Sequence, residues 1–425
     1  MERNWRSIFA RRDGTGIEAQ VELLCLCYLR WGCAVRFQAI FVAVASVFVV
    51  GNVAYSQTKS NAPAQPISAD LLDAYRKTPS VTTEAEVTAI ARVCSKVVPD
   101  PKRSKADREY AESLLAWALN RRGEMRSGAA ATLVEEGNLQ EADALDAKAL
   151  DDYKTAVEYA PSNWRIHHNL AISLAMKGQY KTAIDRLNTV IDLKDDYANA
   201  YFNRAELNFE LKQFPQAIRD YSRAIELTDN DPQYFNSRGH CRFMLESYDE
   251  AIEDYRRAVE LASDSAVYHT DLADAYQFTG QWKDAAETYR EAVAINGQYA
   301  RAYQNAAWLM ATCPDKKFRN TELALSSAKK AMELEAAPSM RAFDTLAAAY
   351  AATGKMPDAV KFQKRAIQLA AEGDREEVSQ RLALYERGKA YVQPESSSAL
   401  PTEMVEGTKP KVRTAAETTS TRRSR

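Results

Sequence analysis

The chain has 425 residues, of which 46% are hydrophobic and 27% charged, and its net charge is −2. This length allows a sizeable core or several domains, and the composition is ordinary for a soluble helical protein. The near-neutral charge argues against a nucleic-acid binder, which would carry a basic stripe. Only 15 residues are glycine, as expected of a mostly helical chain.

The N-terminal region, residues 1–56, contains an uncharged stretch at 37–58. Its apolar centre, 39–50, is about twelve residues long, which suits the core of a signal peptide better than a membrane span of roughly 20 residues. Ala54 and Ser56 form a small-x-small cleavage site. We therefore expect an exported protein, periplasmic or secreted. The alternative is an inner-membrane anchor, in which 37–58 remains as a membrane tether.

Six cysteines are present, and three of them precede the expected cleavage site. The other three, Cys94, Cys241 and Cys313, are an odd number without short spacing, which indicates neither a disulfide framework nor a zinc or haem motif. We expect them to be small buried or half-buried thiols.

The chain up to residue 163 is less regular than the stretch from residue 164 onward. Residues 57–80 hold three prolines among polar residues, which predicts a linker. Residues 81–126 predict a helical hairpin whose first helix is capped by Thr83, with Glu86 three residues on. Residues 127–163 predict an atypical repeat, because only their second half matches the periodic pattern of the later residues.

A period of 34 residues organises the stretch 164–299. Its clearest marker is an alanine that recurs at Ala183, Ala217, Ala251 and Ala285. Four residues after each stand Leu187, Tyr221, Tyr255 and Tyr289, and twelve residues before each stand Ala171, Ala205, Gly239 and Ala273. These spacings indicate two helices per unit, whose small residues allow the backbones to approach closely. A single hairpin cannot bury its apolar face, so the period predicts a solenoid of stacked hairpins.

These residues resemble the tetratricopeptide repeat (TPR) family, whose pattern spans about 34 residues. The unit 266–299 shows the match at Leu272, Ala273, Tyr276, Gly280, Trp282, Ala285, Tyr289 and Ala292. The resemblance implies an all-α fold, a right-handed α-solenoid of stacked TPR helix hairpins with helical caps. The predicted units are 164–197, 198–231, 232–265, 266–299, 300–339 with an insertion, and 340–373. With the expected signal peptide, the stretch from Trp308 to Asp315 resembles exported bacterial repeat proteins, planctomycete ones among them.

The C-terminal end is predicted to close the array. Residues 374–393 suit a capping helix whose apolar face covers the last repeat, while charged residues including Glu377 and Arg381 face water. Residues 394–425 are rich in Ser, Thr, Pro and charge, which predicts a disordered tail.

No catalytic arrangement stands out, because the chain lacks a Gly-rich phosphate loop, a Cys-x-x-Cys pair and a His-Glu-x-x-His motif. We therefore expect no enzyme, no cofactor and no metal site. An enzyme with an unrecognised site is the alternative from another class. His167 and His269 occupy a position where an aromatic residue usually packs, so we expect them to be structural.

The resemblance implies that the first helix of each repeat lines a concave groove. The candidate partner-binding residues at its inward positions are His168, Asn169, Phe202, Asn203, Glu206, Asn236, His240, Asp274, Gln304, Asn305 and Trp308. Asparagine both donates to and accepts from a peptide backbone, and aromatic residues supply apolar anchors. The basic clamp of chaperone-binding TPR domains is absent, which disfavours a receptor for chaperone tails.

The predicted function is a non-catalytic scaffold of the cell envelope that binds a peptide segment or helix of a partner protein in this groove. The alternative is a membrane-anchored accessory subunit of an envelope complex. No nucleic-acid partner is expected.

Overall fold

The computed structural model describes residues 67–395, and all regular secondary structure in this range is helical. The predictions for 1–66 and 396–425 lie outside the described residues. They include the signal peptide or membrane tether at 37–58, the N-terminal part of the linker, and the disordered tail after residue 395. Within 67–395, no helix combines the length and the apolar character needed to cross a bilayer.

The chain divides into two compact units, an N-terminal unit that ends at Leu261 and a C-terminal unit that begins at Ala262. The helices described in the N-terminal unit are α1 (Ala69–Lys77), α2 (Glu84–Val97), α3 (Lys105–Glu135), α4 (Leu139–Tyr159), α5 (Trp164–Met176), α6 (Tyr180–Leu193), α7 (Ala198–Glu210), α8 (Phe214–Leu227), α9 (Pro232–Met244) and α10 (Tyr248–Leu261). Those described in the C-terminal unit are α11 (Ala266–Phe278), α12 (Trp282–Ile295), α13 (Ala300–Thr312), α14 (Thr321–Leu334), α15 (Met340–Ala352), α16 (Met356–Leu369) and α17 (Arg375–Glu386). Short 3-10 helices lie at Thr78–Ser80 and Lys316–Phe318.

Helices that follow one another in sequence pack side by side within each unit, as in a solenoid. The first helix of each regular repeat is α5, α7, α9, α11, α13 or α15, and the next helix is its second helix. The prediction of an all-α solenoid built from helix hairpins is confirmed within each unit. The handedness of the solenoid stays a prediction.

Local sequence explains where helices begin and turn. Thr83 and Glu86 form the predicted capping box of α2. The turns after first helices place a glycine in the left-handed conformation at Gly178, Gly280 and Gly354, with φ of 72°, 75° and 77°. At the equivalent turns of the repeats 198–231 and 232–265, Lys212 and Glu246 adopt the same conformation with φ of 58° and 61°.

The periodic residues form the contacts between helices. Ala183, Ala217, Ala251 and Ala285 have no exposed surface, and Tyr221, Tyr255 and Tyr289 are at most 2% exposed. Gly239 takes the position of Ala171 and Ala205, and a Cβ atom there would lie 2.9 Å from Cε1 of Tyr255. The ring of Tyr255 therefore fills the space that a methyl group would need.

Two successive repeats of the N-terminal unit contain, at the same positions, an ion pair whose aspartate is buried. Arg204 binds both carboxylate oxygens of Asp220 at 2.8 and 2.7 Å, and Arg238 binds those of Asp254 at 3.0 and 2.7 Å. Nη1 of each arginine also reaches the second helix of the preceding repeat, bonding Asn188 at 2.7 Å and Ser222 at 3.0 Å. Each arginine therefore joins its own hairpin to the one before it.

The atypical repeat is a longer version of the same hairpin. Arg122 binds Asp152 at 3.0 and 2.6 Å, and a Cβ on Gly123 would lie 2.6 Å from Tyr153, as at Gly239 and Tyr255. Its arginine and aspartate are 30 residues apart against 16 in the regular repeats, a difference of 14, or about two extra turns on each helix. The predicted boundary at 126/127 therefore falls inside α3.

Two other predicted boundaries differ from the structure. Ala69–Lys77 is a helix where a linker was predicted, because Leu71, which is 0% exposed, packs into the first core cluster. The capping helix α17 ends at Glu386 rather than near 393, and Gly388 reverses the chain with φ of 73°.

The predictions for the three cysteines and for the two structural histidines are confirmed. Cys94, Cys241 and Cys313 are buried free thiols, and burial raises the pKa of Cys94 to about 12. A ring nitrogen of His167 lies 2.8 Å from the carbonyl oxygen of Pro161, and His269 is 5% exposed.

Candidate partner-binding face

The predicted groove residues lie on the first helices of both units. Each unit has its own such surface, which we call its first-helix face: α5, α7 and α9 carry it in the N-terminal unit, and α11 and α13 carry it in the C-terminal unit. The small residues at Ala171, Ala205, Gly239 and Ala273 are buried against their own hairpins. The candidate residues stand on the same helices at other angular positions.

His168 and Asn203 connect the first helices of two neighbouring repeats. Nδ2 of Asn203 lies 3.0 Å from Nε2 of His168. An amide nitrogen only donates, so Nε2 accepts and the neutral ring carries its proton on Nδ1. Burial lowers the pKa of His168 to about 4, and a hydrogen bond with Asn169 opposes that shift only in part. The imidazole is therefore neutral at pH 7 in the folded chain.

This histidine gives the fold a pH dependence of known sign. Below the ordinary pKa of 6.5 the unfolded chain binds a proton that the folded chain refuses until about pH 4, so stability falls as pH drops through this window. After a discount for a ring that is only half-buried, we expect a loss of about 2 kcal/mol between pH 7.5 and 4.5. Urea unfolding at both pH values should show a loss that is larger by this amount in the wild type than in His168→Gln, because the two proteins share all other titrating groups. Equal losses in the two proteins would contradict the assignment.

Asn169 belongs to a polar cluster with two residues of α3. Its Nδ2 donates to Oδ1 of Asn120 at 3.0 Å and to Oε1 of Glu124 at 3.2 Å. Nδ2 of Asn120 also donates to Oε1 of Glu124, at 2.8 Å. All three side chains are half-buried. The N-terminal part of this face therefore includes α3, which the sequence prediction did not include.

Five candidate residues of the N-terminal unit are buried. Phe202 is 2% exposed and packs 4.9 Å from the ring of Tyr234, so it is a core residue rather than an accessible anchor. The other four are at most 9% exposed: Asn203, Glu206, Asn236 and His240. Glu206 accepts a hydrogen bond from the hydroxyl of Tyr221, and His240 packs edge-on against Tyr255. These contacts hold the helices of each hairpin together.

In the C-terminal unit, Asp274 is the centre of a hydrogen-bonded group. It accepts from Nδ2 of Asn305 at 2.7 Å and from the hydroxyl of Tyr289 at 2.5 Å, and it pairs with Arg301. Arg301 also binds Asp271 at 2.8 Å. These bonds connect α11 to α13, so Asp274 and Asn305 position the two first helices. Gln304, also on α13, is 8% exposed.

Trp308 lies in a group of three side chains. The guanidinium of Arg381 is 5.4 Å from its ring centroid, and the ring of Tyr391 is 5.7 Å away. The same guanidinium lies 5.5 Å from the ring of Tyr391. Cation–π and aromatic contacts at these distances are attractive.

Arg381 corrects the prediction that the charged side of the capping helix faces water. It is 3% exposed and binds Asp344 through two hydrogen bonds of 2.9 and 2.8 Å, with Glu377 at 2.5 Å. Burial alone would lower its pKa, but the charges of Asp344 and Glu377 raise it above the usual value. Arg381 is therefore a fixed cation that connects α17 to α15 and presents its guanidinium to Trp308.

The chain after α17 lies on the first-helix face of the C-terminal unit. The backbone N–H of Gln393 donates to the carbonyl oxygen of Thr312 at 2.9 Å. The side-chain nitrogen of Gln277 donates to Oε1 of Gln393 at 3.3 Å. With Tyr391 against Trp308, this segment contacts both α11 and α13. The only sequence signal for this contact was an aromatic residue, Tyr391, followed two residues later by the amide Gln393, shortly after the glycine that ends the helix.

Comparison with known proteins gives matches over the repeat region. Family models described as tetratricopeptide repeat match residues 152–185, 198–231 and 232–298, and one described as TPR repeat matches 173–212. Together they cover 152–298 without a gap. No curated protein matches the chain.

Solved structures that match part of the chain include a crystal structure of MamA, with 21% identity over 39% of this chain and 94% of that chain, at a TM-score of 0.36. YrrB, described as a TPR protein with an unusual peptide-binding site, has 20% identity over 45% of this chain and 95% of that chain, at a TM-score of 0.37. A tetratricopeptide repeat protein from Parabacteroides merdae has 17% identity over 62% of this chain and 98% of that chain, at a TM-score of 0.46.

Proposed function

We propose, on the premise that residues 152–298 are tetratricopeptide repeats, that the chain is a non-catalytic scaffold that binds a segment of a partner protein on its first-helix face. One observation carries the proposal. The first-helix face of the C-terminal unit already holds a non-helical segment, residues 391–393, through one main-chain hydrogen bond, one side-chain hydrogen bond and one aromatic contact. A surface that holds one extended segment this way has the groups needed to hold another.

The chemistry of this face favours an extended peptide as the bound segment. Trp308 supplies an aromatic anchor, and the carbonyl of Thr312 at the end of α13 offers a main-chain acceptor. Gln277 supplies a side-chain amide that donates and accepts. Most ionised groups nearby are already paired, as for Arg301 and Arg381, so recognition rests on apolar and neutral polar contacts.

The test is a comparison of two matched truncations in the full chain. We expect Trp308→Ala to reduce recovery of bound proteins about tenfold or more, since loss of a central aromatic anchor commonly costs about 2 kcal/mol or more. Leu323→Ala is the control, because Leu323 is 50% exposed on the second helix α14. Affinity capture with quantitative mass spectrometry measures recovery, and circular dichroism confirms folding. Equal recovery by both variants would contradict binding at this face. Phe202 is unsuitable for this test, because its removal would damage the core.

The proposed location is the cell envelope, with the chain exported or held by 37–58 as an accessory subunit. The uncharged stretch with its short apolar centre supports this proposal. Alkaline extraction of membranes separates the two forms, because a tethered chain stays in the pellet and a cleaved chain is released.

A further inference from the structure

The segment after α17 is placed by a defined reversal of the chain. Gly388 adopts a left-handed φ of 73°, and its N–H donates to the carbonyl of Tyr385 at 3.0 Å. The N–H of Lys389 donates to the carbonyl of Leu384 at 2.9 Å. This is the hydrogen-bond pattern of a glycine helix stop, and it directs the following residues back along the unit. We call residues 389–395 the C-terminal strap.

The strap uses alternate residues to contact the first-helix face. Tyr391 and Gln393 are half-buried on α13 and α11, whereas Val392 between them is 43% exposed. This period of two is that of an extended chain, in which successive side chains point to opposite sides. Residues 391–393 of the strap therefore show the side-chain alternation of an extended peptide.

The strap is held by a small number of contacts. The ring of Tyr391 packs beside Trp308 and against a core cluster that includes Ala347 and Ala351 of α15, the N–H of Gln393 donates one main-chain hydrogen bond, and Gln277 donates one side-chain hydrogen bond. Nε2 of Gln393 is buried without a hydrogen-bond partner in the described part of the chain. A buried donor left unpaired opposes binding. A ligand whose side-chain amide was fully hydrogen-bonded at this position would bind better than the strap and displace it.

We propose that the C-terminal strap is an intramolecular occupant of the partner-binding face, displaced by an extended partner segment that carries an aromatic residue two positions before a glutamine or asparagine. The proposal rests on the proposed function, since it names how that same face is regulated and which sequence it accepts. Trp308 receives the aromatic ring, the carbonyl of Thr312 receives a backbone N–H, and Gln277 pairs with the amide side chain.

The test uses the full chain and a fluorescein-labelled peptide of residues 388–395, Gly-Lys-Ala-Tyr-Val-Gln-Pro-Glu. In the wild type the strap competes with this peptide, and the double variant Tyr391→Ala, Gln393→Ala removes that competition. If the strap occupies the face for about nine-tenths of the time, the double variant binds the peptide about tenfold more tightly, as measured by fluorescence anisotropy. Adding Trp308→Ala to the double variant should abolish this gain.

Two controls make the result specific. Val392→Ala alters an exposed strap residue and should leave the peptide affinity at the wild-type value. A peptide with alanine in place of its tyrosine should not bind the double variant. Equal peptide affinity of the wild type and the double variant would overturn the proposal, and so would a gain that persists without Trp308. Thermal melting by circular dichroism confirms that all the variants are folded.

Partner capture separates this proposal from the proposed function. Recovery of proteins that depends on Trp308 but is the same in the double variant and the wild type would leave the scaffold function standing and reject the strap. If the double variant binds the peptide tightly but no protein is recovered in a Trp308-dependent way, the strap proposal is supported and the proposed scaffold function is rejected.

Discussion

Asp254→Ala is expected to lower the free energy of unfolding by about 3 kcal/mol, because it removes a buried carboxylate and leaves two half-buried cations without their counter-charge. Asp254 is 3% exposed and accepts hydrogen bonds from Arg238 at 3.0 and 2.7 Å and from Arg242 at 2.7 Å. Both half-buried arginines would have to reorganise or stay without this counter-charge. Arg238 also binds Ser222 of the preceding hairpin, so the loss should extend into α8.

The matched control for this prediction lies on the same helix. Glu260 pairs with Arg257 at 2.9 Å, but their side chains are 64% and 46% exposed. Exposed pairs contribute little, so Glu260→Ala should change stability by no more than about 0.5 kcal/mol. Urea unfolding measures both variants, and hydrogen exchange locates the loss in α9 and α10. Similar effects of the two substitutions would show that burial of the pair does not matter.

Gly239→Leu is expected to destabilise the fold by about 3 kcal/mol, at the upper end of typical overpacking. A Cβ at this position would lie 2.9 Å from Cε1 of Tyr255 and 3.3 Å from the carbonyl oxygen of Ala251. The ring of Tyr255 is 1% exposed and has little room to shift. Leucine is a better helix former than glycine by roughly 1 kcal/mol, so intrinsic propensity predicts the opposite sign.

The control for this second prediction is Gly297→Leu. A Cβ there would meet only the hydroxyl of Tyr303, at 3.8 Å, and the position is exposed. We expect a change within about 0.5 kcal/mol, as for other surface substitutions. Thermal unfolding of the two variants is sufficient, because the expected difference corresponds to several degrees. A stable Gly239→Leu protein would show that α9 and α10 separate without cost.

The regular repeats were predictable because their packing is encoded at fixed spacing. Gly239 on α9 and Tyr255 on α10 meet within one hairpin, so one period contains the information for one contact. The atypical repeat was misplaced because its arginine and aspartate, Arg122 and Asp152, are separated by 14 more residues than in the regular copies. When the extra residues are divided equally between the two helices, the contacts away from the turn are kept. The spacing of the contacting residues in the sequence no longer matches the regular period.

The candidate face was predicted less well than the fold, for a physical reason. A helical position fixes the direction of a side chain but not what covers it, so Phe202 was expected to be accessible and is core. Arg381 was expected in water because arginine usually is, yet Asp344 and Glu377 make its burial favourable. The strap depends on a contact between Gln277 and Gln393, which are 116 residues apart. No local pattern encodes such a contact.

The turns at Lys212 and Glu246 have a strained backbone conformation, and they belong to the same two repeats that contain the ion pairs. Holding φ near +60° costs a non-glycine residue about 1–2 kcal/mol, a strain that the glycine turns avoid. The repeats that carry this strain, 198–231 and 232–265, are also those with the Arg204–Asp220 and Arg238–Asp254 pairs. Backbone strain and an ion pair therefore occur together in these two hairpins, whereas the atypical repeat combines the equivalent Arg122–Asp152 pair with a glycine turn at Gly137. Glycine at both turns would remove this strain and raise the stability of the two repeats. The fold would then tolerate loss of the ion pairs better, although the turn residues do not contact them.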